Sequence, residues 1–299
     1  MIRIGVDFGG TKIEAAALDA QGAFQARVRA SSPGSYEASL ETVRDLVEQA
    51  EREAGVGGSS VGIGIPGSPS PATGLIRNAN TTHLNDRPLQ ADLERVLGRP
   101  VRLANDANCF ALSEAIDGAG ADSDVVFGVI IGTGCGAGVT AGRRVLAGRN
   151  AIAGEWGHTP LPWPMPDELP GPECFCGRRN CLELWISGPG FAADHGNGVD
   201  AAAIAMAAGQ GDVRAAASLE RYIDRLARGL AVIADILDPD VIVLGGGMSN
   251  VGALYDHLPA TVGSYAFSEV FTTPIRKAAH GDSSGVRGAA WLWPLEPRP

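Results

Sequence analysis

One pattern occurs twice in this chain, at residues 2–18 and again at 125–139. Each copy is an apolar run, a glycine-rich turn with a threonine, and a second apolar run. The first passes through Asp7-Phe-Gly9-Gly10-Thr11-Lys12, the second through Gly132-Thr133-Gly134-Cys-Gly136-Ala-Gly138. Such a segment reads as a hairpin, its glycines supplying the positive φ that tight turns use. Two copies far apart in one chain predict two similar lobes that face each other. They differ chemically: only the first carries a carboxylate, Asp7, and a lysine, Lys12.

Between these landmarks strands and helices alternate. Leu40, Val43, Leu46, Val47 and Ala50 recur at helical spacing, and Val61 to Ile65 then form an apolar strand closed by Pro66-Gly67. Val101 to Ala104 is another strand, running into Asn105-Asp106 and a helix to about Ala115. Leu219, Tyr222, Ile223, Leu226, Leu230, Ile233 and Leu237 mark a long amphipathic helix stopped at Asp238-Pro239. Val241 to Leu244 follow as a parallel-type strand ending in Gly245-Gly246-Gly247. This order predicts an α/β architecture with covered sheets. The division expected is an N-terminal lobe over 1–115 and a C-terminal lobe over 116–284, with a final helix over 285–299 packing back on the first.

The chain's 299 residues supply core enough for two such lobes. A net charge of −10 argues against a nucleic-acid surface, which needs a basic face. No apolar run approaches the roughly 20 residues of a membrane span, and an apolar strand from residue 2 leaves no room for a signal peptide, so the cytoplasm is the expected compartment.

Three of the five cysteines sit within eight residues, Cys174-Phe-Cys176-Gly-Arg-Arg-Asn-Cys181, and His158 lies upstream in Gly154-Glu155-Trp-Gly-His158. Three thiolates and an imidazole make a closed tetrahedral zinc set. One intervening residue makes a Cys174–Cys176 disulfide a strained ring. Cys109 and Cys135 read as small buried hydrophobes. The six prolines between Pro160 and Pro172 predict an ordered loop leading to the cysteines.

Glycine turns after strands bring backbone N–H groups against phosphate oxygens. Here there are three, at Gly9-Gly10-Thr11, Gly132-Thr133-Gly134 and Gly245-Gly246-Gly247. None fits the nucleotide loop that ends in Gly-Lys-Ser/Thr, and the first precedes a strand rather than a helix. Together they predict phosphate binding, with Asp7 near a metal ion and Lys12 near a terminal phosphate. Asn105-Asp106 lies where a strand ends and a helix begins. There the helix dipole is expected to lower a carboxylate's pKa, although both residues are also ordinary caps. Glu155, His158, Asn105, Asp106 and Glu183 would form a cluster suited to sugar hydroxyls.

These motifs, in this order and over essentially the whole chain, resemble the ROK family of repressors, open reading frames and sugar kinases. Within it, Leu103 to Asn108, Ile130 to Gly138 and His280 to Trp293 are similar to bacterial fructokinase of the manno(fructo)kinase type. The resemblance departs at Asn180, where many members have glycine. It implies a two-lobed actin- and hexokinase-like ATPase fold with ribonuclease H-like lobes, ATP and Mg²⁺ in the cleft, and a structural Zn²⁺ on His158, Cys174, Cys176 and Cys181. Asp106 would be the general base, and Asn105, Glu155, His158, Glu183 and Gly67 would surround the sugar. Asp7, Gly9, Gly10, Thr11, Lys12, Gly132, Thr133, Gly134, Gly136 and Gly245 to Gly247 would serve the nucleotide.

The activity this implies is an ATP-dependent hexose kinase, a fructokinase acting at the 6-hydroxyl with mannose as a second substrate. The alternative is a kinase of N-acetylglucosamine or glucose. A homodimer is expected, and neither nucleic acid nor membrane is an expected partner. A sugar-sensing repressor is the alternative of another class, disfavoured by the acidic charge and the absence of a DNA-binding segment before the first strand. An actin- or chaperone-type ATPase would have no use for the zinc loop.

Overall fold

A computed structural model describes residues 2–294 of the chain. The duplicated hairpins become the centres of two five-stranded sheets. The first is built from β1 (Arg3–Phe8), β2 (Lys12–Leu18), β3 (Phe24–Ser31) and β4 (Ser60–Ile65). After a two-stranded ribbon, β5 (Ser68–Pro69) with β6 (Ile76–Arg77), it is completed by β7 (Val101–Asn105). The second uses β8 (Val125–Ile131), β9 (Cys135–Ala141), β10 (Arg144–Val145), β11 (Val241–Gly245) and β12 (Ile275–Lys277). Their spatial orders are β3-β2-β1-β4-β7 and β10-β9-β8-β11-β12. In both, three antiparallel strands are followed by two parallel ones. The repeat is therefore one of topology as well as of local pattern.

Apolar side chains on the central strands are buried on both faces, as parallel-type strands need. In the first lobe α1 (Tyr36–Glu53) covers β1 to β3, and α2 (Leu89–Leu97) packs beside it and against β7. Its core gathers Ile4, Val6, Val43, Val47, Ile63 and Leu93. The helix α3 (Asp106–Asp117) leaves the end of β7 and packs on β8 and β9 of the other sheet. Conversely α9 (Ser284–Trp291) lies on β1 and β4 and against α3. Glycine makes both contacts possible. A Cβ on Gly5 would run into the Val286 carbonyl, and one on Gly138 would sit 2.5 Å from the Ala107 oxygen. The two lobes are thus joined by helices that cross from one to the other.

The second lobe adds α4 (Glu183–Ile186), α5 (Gly188–His195), α6 (Ala201–Gly209), α7 (Val213–Leu237) and α8 (Ala253–Gly263). Phe127, Trp156, Tyr222, Leu226 and Leu230 are among its core. The amphipathic pattern of α7 ends where Asp238 turns left-handed (φ 46°) ahead of Pro239.

Three expectations need correction. The final helix ends at Trp291 rather than running to 299, because Pro294 disfavours helical backbone just before it; residues 295–299 lie outside the described residues. The proline-rich stretch contains one turn of 3₁₀ helix at Pro166–Glu168. Gly9, Gly10, Gly132 and Gly134 do not take the left-handed φ expected of hairpin turns; Gly9, Gly10 and Gly134 provide room for neighbours instead, while a Cβ on Gly132 would meet nothing within 4 Å. Among the described residues, no helix is long and apolar enough to cross a membrane.

Candidate active site

The strand-to-helix corner comes first. Asn105 caps α3, its Oδ1 accepting the Ala107 N–H at 2.9 Å while its Nδ2 donates to the Gly67 carbonyl at 3.2 Å. The Asp106 Oδ1 accepts from the same N–H at 2.8 Å. Capping and membership of the site therefore coincide. The expected depression of the Asp106 pKa is reversed: burial, reinforced by the Glu155 charge, raises it, and this outweighs the helix N–H and Asn105. A carboxylate made more basic in this way takes a proton more readily.

Glu155 and His158 occupy a single 3₁₀ turn, Glu155–His158, pressed against β9. A Cβ on Gly154, which is left-handed at φ 93°, would run into the Ala137 carbonyl. Glu183 opens α4, and its Oε2 accepts the Cys135 N–H at 2.8 Å. This contact explains Gly134, whose Cβ would lie 2.8 Å from that oxygen.

His158, Cys174, Cys176 and Cys181 converge, their ligand atoms all within 4.8 Å of one another. Cys174 Sγ is 3.7 Å from His158 Nδ1, and Cys176 Sγ is 3.6 Å from Cys181 Sγ. Tetrahedral zinc with thiolates at 2.3 Å separates its sulfurs by about 3.8 Å, so the donor set fits such an ion. Nδ1 is the nitrogen on the sulfur side, which leaves Nε2 for a ligand. All five cysteines are free thiols. The turn between the last two ligands needs Asn180 left-handed (φ 61°), a conformation that Asn, like Gly, tolerates. Its Oδ1 accepts the Trp185 indole N–H at 2.7 Å. The departure at 180 thus keeps the turn and adds a bond.

Glu168 went unnoticed in the sequence. Buried in the proline-rich loop, it accepts from Arg225 Nε at 2.7 Å and from both Arg228 nitrogens at 2.8–2.9 Å. Arg228 also donates to the Pro162 and Trp163 carbonyls. The two guanidiniums hold the Glu168 carboxyl down at about 2 against the opposing effect of burial. The loop between His158 and Cys174 is in this way clamped to α7.

A cleft cavity of about 1050 Å³ brings Gly67, Asn105, Asp106, Glu155, His158, Glu183 and Gly136 together with Gly132, Thr133 and Gly134. Asn78, Asn80, Phe175 and Arg178 line it too, and the sequence reading missed them. The loop of Asn78 and Asn80 is pinned by Asn85, which bonds both backbone groups of Ala79 at 2.9 Å; its run of asparagines was the available signal. A second cavity of about 870 Å³ is lined by Gly132, Thr133, Gly188, Asp200, Met206, Gly247 and Asn250. Gly132 and Thr133 belong to both, so a group held in one lies next to a group held in the other.

The other expected nucleotide residues are placed differently. Asp7, Gly9, Gly10, Thr11 and Lys12 line neither cavity. Burial, with the Asp106 and Glu14 charges adding to it and Lys12 opposing, pushes the Asp7 carboxyl up to about 6. Lys12 is 3.7 Å from Glu14 and half exposed. Of the last glycine triplet only Gly247 faces the second cavity. Gly245 lies under the Phe110 ring, and Gly246 is close to the Ile131 backbone.

The family model that matches the chain is that of the ROK family, over residues 3–296. An N-acetyl-D-glucosamine kinase of Salmonella typhimurium is 41% identical over 297 residues, covering 96% of this chain and 98% of its own. Among solved structures, a ROK hexokinase from Thermus thermophilus superposes with a TM-score of 0.87 at 34% identity, covering 98% of this chain and 97% of the other. A ROK family glucokinase from Streptomyces griseus, in complex with glucose and AMPPNP, does so with 0.77 at 30%, covering 98% and 99%.

Proposed function

The chain belongs to the ROK family, and from that premise we propose that it transfers the terminal phosphoryl group of ATP to the 6-hydroxyl of N-acetyl-D-glucosamine. The observation that carries the reading is the pair of cavities meeting at Gly132-Thr133, one holding Asp106, whose carboxyl the site makes more basic, beside Asn105, Glu155 and His158, the other largely glycine- and alanine-lined. Sugar in the first and nucleotide in the second would put hydroxyl and phosphate side by side. The fructose reading gives way to its alternative here, since 41% identity along almost the whole chain supports N-acetyl-D-glucosamine.

Asp106 accepts the proton of the attacking hydroxyl as the bond to phosphorus forms. Asn105, Glu155, His158 and Glu183 bind ring hydroxyls and fix the sugar's orientation, which supplies much of the rate in phosphoryl transfer. Backbone N–H groups of Thr133 and Gly134, and of Gly10 and Thr11, cradle phosphate oxygens once the lobes close on the nucleotide, the Gly132 and Gly9 N–H groups being held within their own turns. Mg²⁺, held near Asp7, would offset charge on the transferring phosphate. Zinc on His158 and the three cysteines would fix the imidazole's tautomer and the position of Glu183.

Formation of ADP from Mg-ATP, measured against N-acetyl-D-glucosamine, glucose, mannose and fructose, tests this. The highest kcat/KM is expected for N-acetyl-D-glucosamine. A higher value for fructose would reinstate the manno(fructo)kinase reading, and no sugar-dependent ADP would remove the kinase altogether.

A further inference from the structure

Phe175 stands out among the groups that the mechanism leaves unused. It is 83% exposed, although it sits between two cysteines of the candidate metal cluster in a tight turn closed by the Cys174 N–H to Arg178 carbonyl bond at 2.8 Å. Its one ring neighbour is His158, met edge-on with centroids 5.1 Å apart. It lines the sugar cavity and also an adjoining space of about 520 Å³. The other walls of that space, Pro66, Gly67, Asn78 to Asn80 and Asp106, come from the opposite side of the cleft. An aromatic ring with an open face, held rigidly at the mouth of a polar cavity, is anchored in place before its partner arrives.

We infer that Phe175 is a binding residue that packs its ring on the C–H face of the bound sugar and shields it from water. Ile130, Ile152 and Trp156 line the cavity too, but Trp156 is buried and Phe175 is the aromatic ring that stands exposed there: hydroxyls meet Asn105, Glu155, His158 and Glu183, whereas a pyranose also presents an apolar side that gains from aromatic cover. This inference rests on the sugar-kinase reading, because the occupant is that reading's acceptor. Phe175 forms no bond to the reacting atoms, so its contribution falls on sugar affinity and not on the chemical step.

Phe175→Ala and Phe175→Trp are compared with wild type by steady-state kinetics and metal content. In Phe175→Ala, KM for N-acetyl-D-glucosamine should rise about tenfold, with kcat within about twofold. KM for ATP and bound metal per chain should be unchanged, and Phe175→Trp should restore most of the sugar affinity. An unchanged sugar KM in Phe175→Ala overturns the inference and leaves the kinase standing. A raised KM accompanied by metal loss also overturns it, since the residue would then act through the loop. A wild-type protein that phosphorylates no hexose removes the kinase reading and this inference together.

Discussion

Replacing Glu168 by Gln tests whether the charge clamp under the proline-rich loop holds the site in shape. Gln keeps the size and an acceptor oxygen but removes the charge that both Arg225 and Arg228 face. The carboxylate is only 5% exposed, so solvent screens the pair little. Its pKa is depressed from 4.5 to about 2, and at 1.36 kcal/mol per unit this corresponds to about 3 kcal/mol. Breaking a buried ion pair from one side costs a similar amount, of order 3–5 kcal/mol. Arg225 retains Asp194 at 2.8 Å and Arg228 retains Asp224 at 3.0 Å, which holds the loss toward the lower figure. For a protein of this size the melting temperature should fall by about 5 °C at pH 7. The sign with pH follows from the depressed pKa: the contribution is complete above 4.5 and is lost as pH falls through about 2. Thermal scans of both proteins should therefore show a constant gap from neutral pH down to about 5 that narrows below it. A variant melting within a degree or so of wild type at pH 7 would refute the clamp.

Asp106→Asn keeps the cap and removes the base, so kcat should drop by about 10² or more with sugar affinity little changed; near-normal turnover would reduce Asp106 to a cap. Because burial and Glu155 raise the Asp106 pKa, the acid limb of the kcat/KM profile should lie above the ordinary carboxylate range. Glu155→Gln should move that limb to lower pH, whatever it does to KM; an unmoved limb would assign the titration elsewhere. Metal analysis should find one zinc per chain, and Cys176→Ser should lose it together with sugar binding and thermal stability; full activity of metal-free protein would contradict the structural role.

What the sequence disclosed was local. The hairpins at residues 2–18 and 125–139 announce themselves by apolar runs around glycines, and α7 by its repeat of leucine and isoleucine. Three of the four candidate metal ligands stand out because thiols are few. The crossing of α3 to the second sheet could not be read this way, since Ala107, Phe110 and Ala111 are buried equally well on either sheet. The direction of the Asp106 pKa was misjudged for a related reason: a helix end is visible in sequence, whereas depth of burial is set by both lobes. Glu168 gave no signal in the proline-rich loop, its arginine partners lying 57 and 60 residues away.

The difference between the two hairpins carries the division of labour. In β1 and β2 Asp7 pairs in register with Glu14. At the corresponding place in β8 and β9 Ile130 pairs with Gly136. One copy therefore places two acids, with Lys12 beside them, where the other has an aliphatic side chain and a glycine that both line the cavity of Asp106 and Glu155. Burial, with the neighbouring Asp106 and Glu14 charges, raises the pKa of Asp7, while Glu14 itself is paired with Arg27 at 2.6 Å and Lys12 at 3.7 Å. The second copy has no such charge to satisfy and has traded it for space. Any side chain at Gly136 would enter the cavity wall, where even a Cβ would stand 3.3 Å from that of Ala107. Equivalent backbones thus differ in kind, one carrying charge and the other leaving room in a cavity wall.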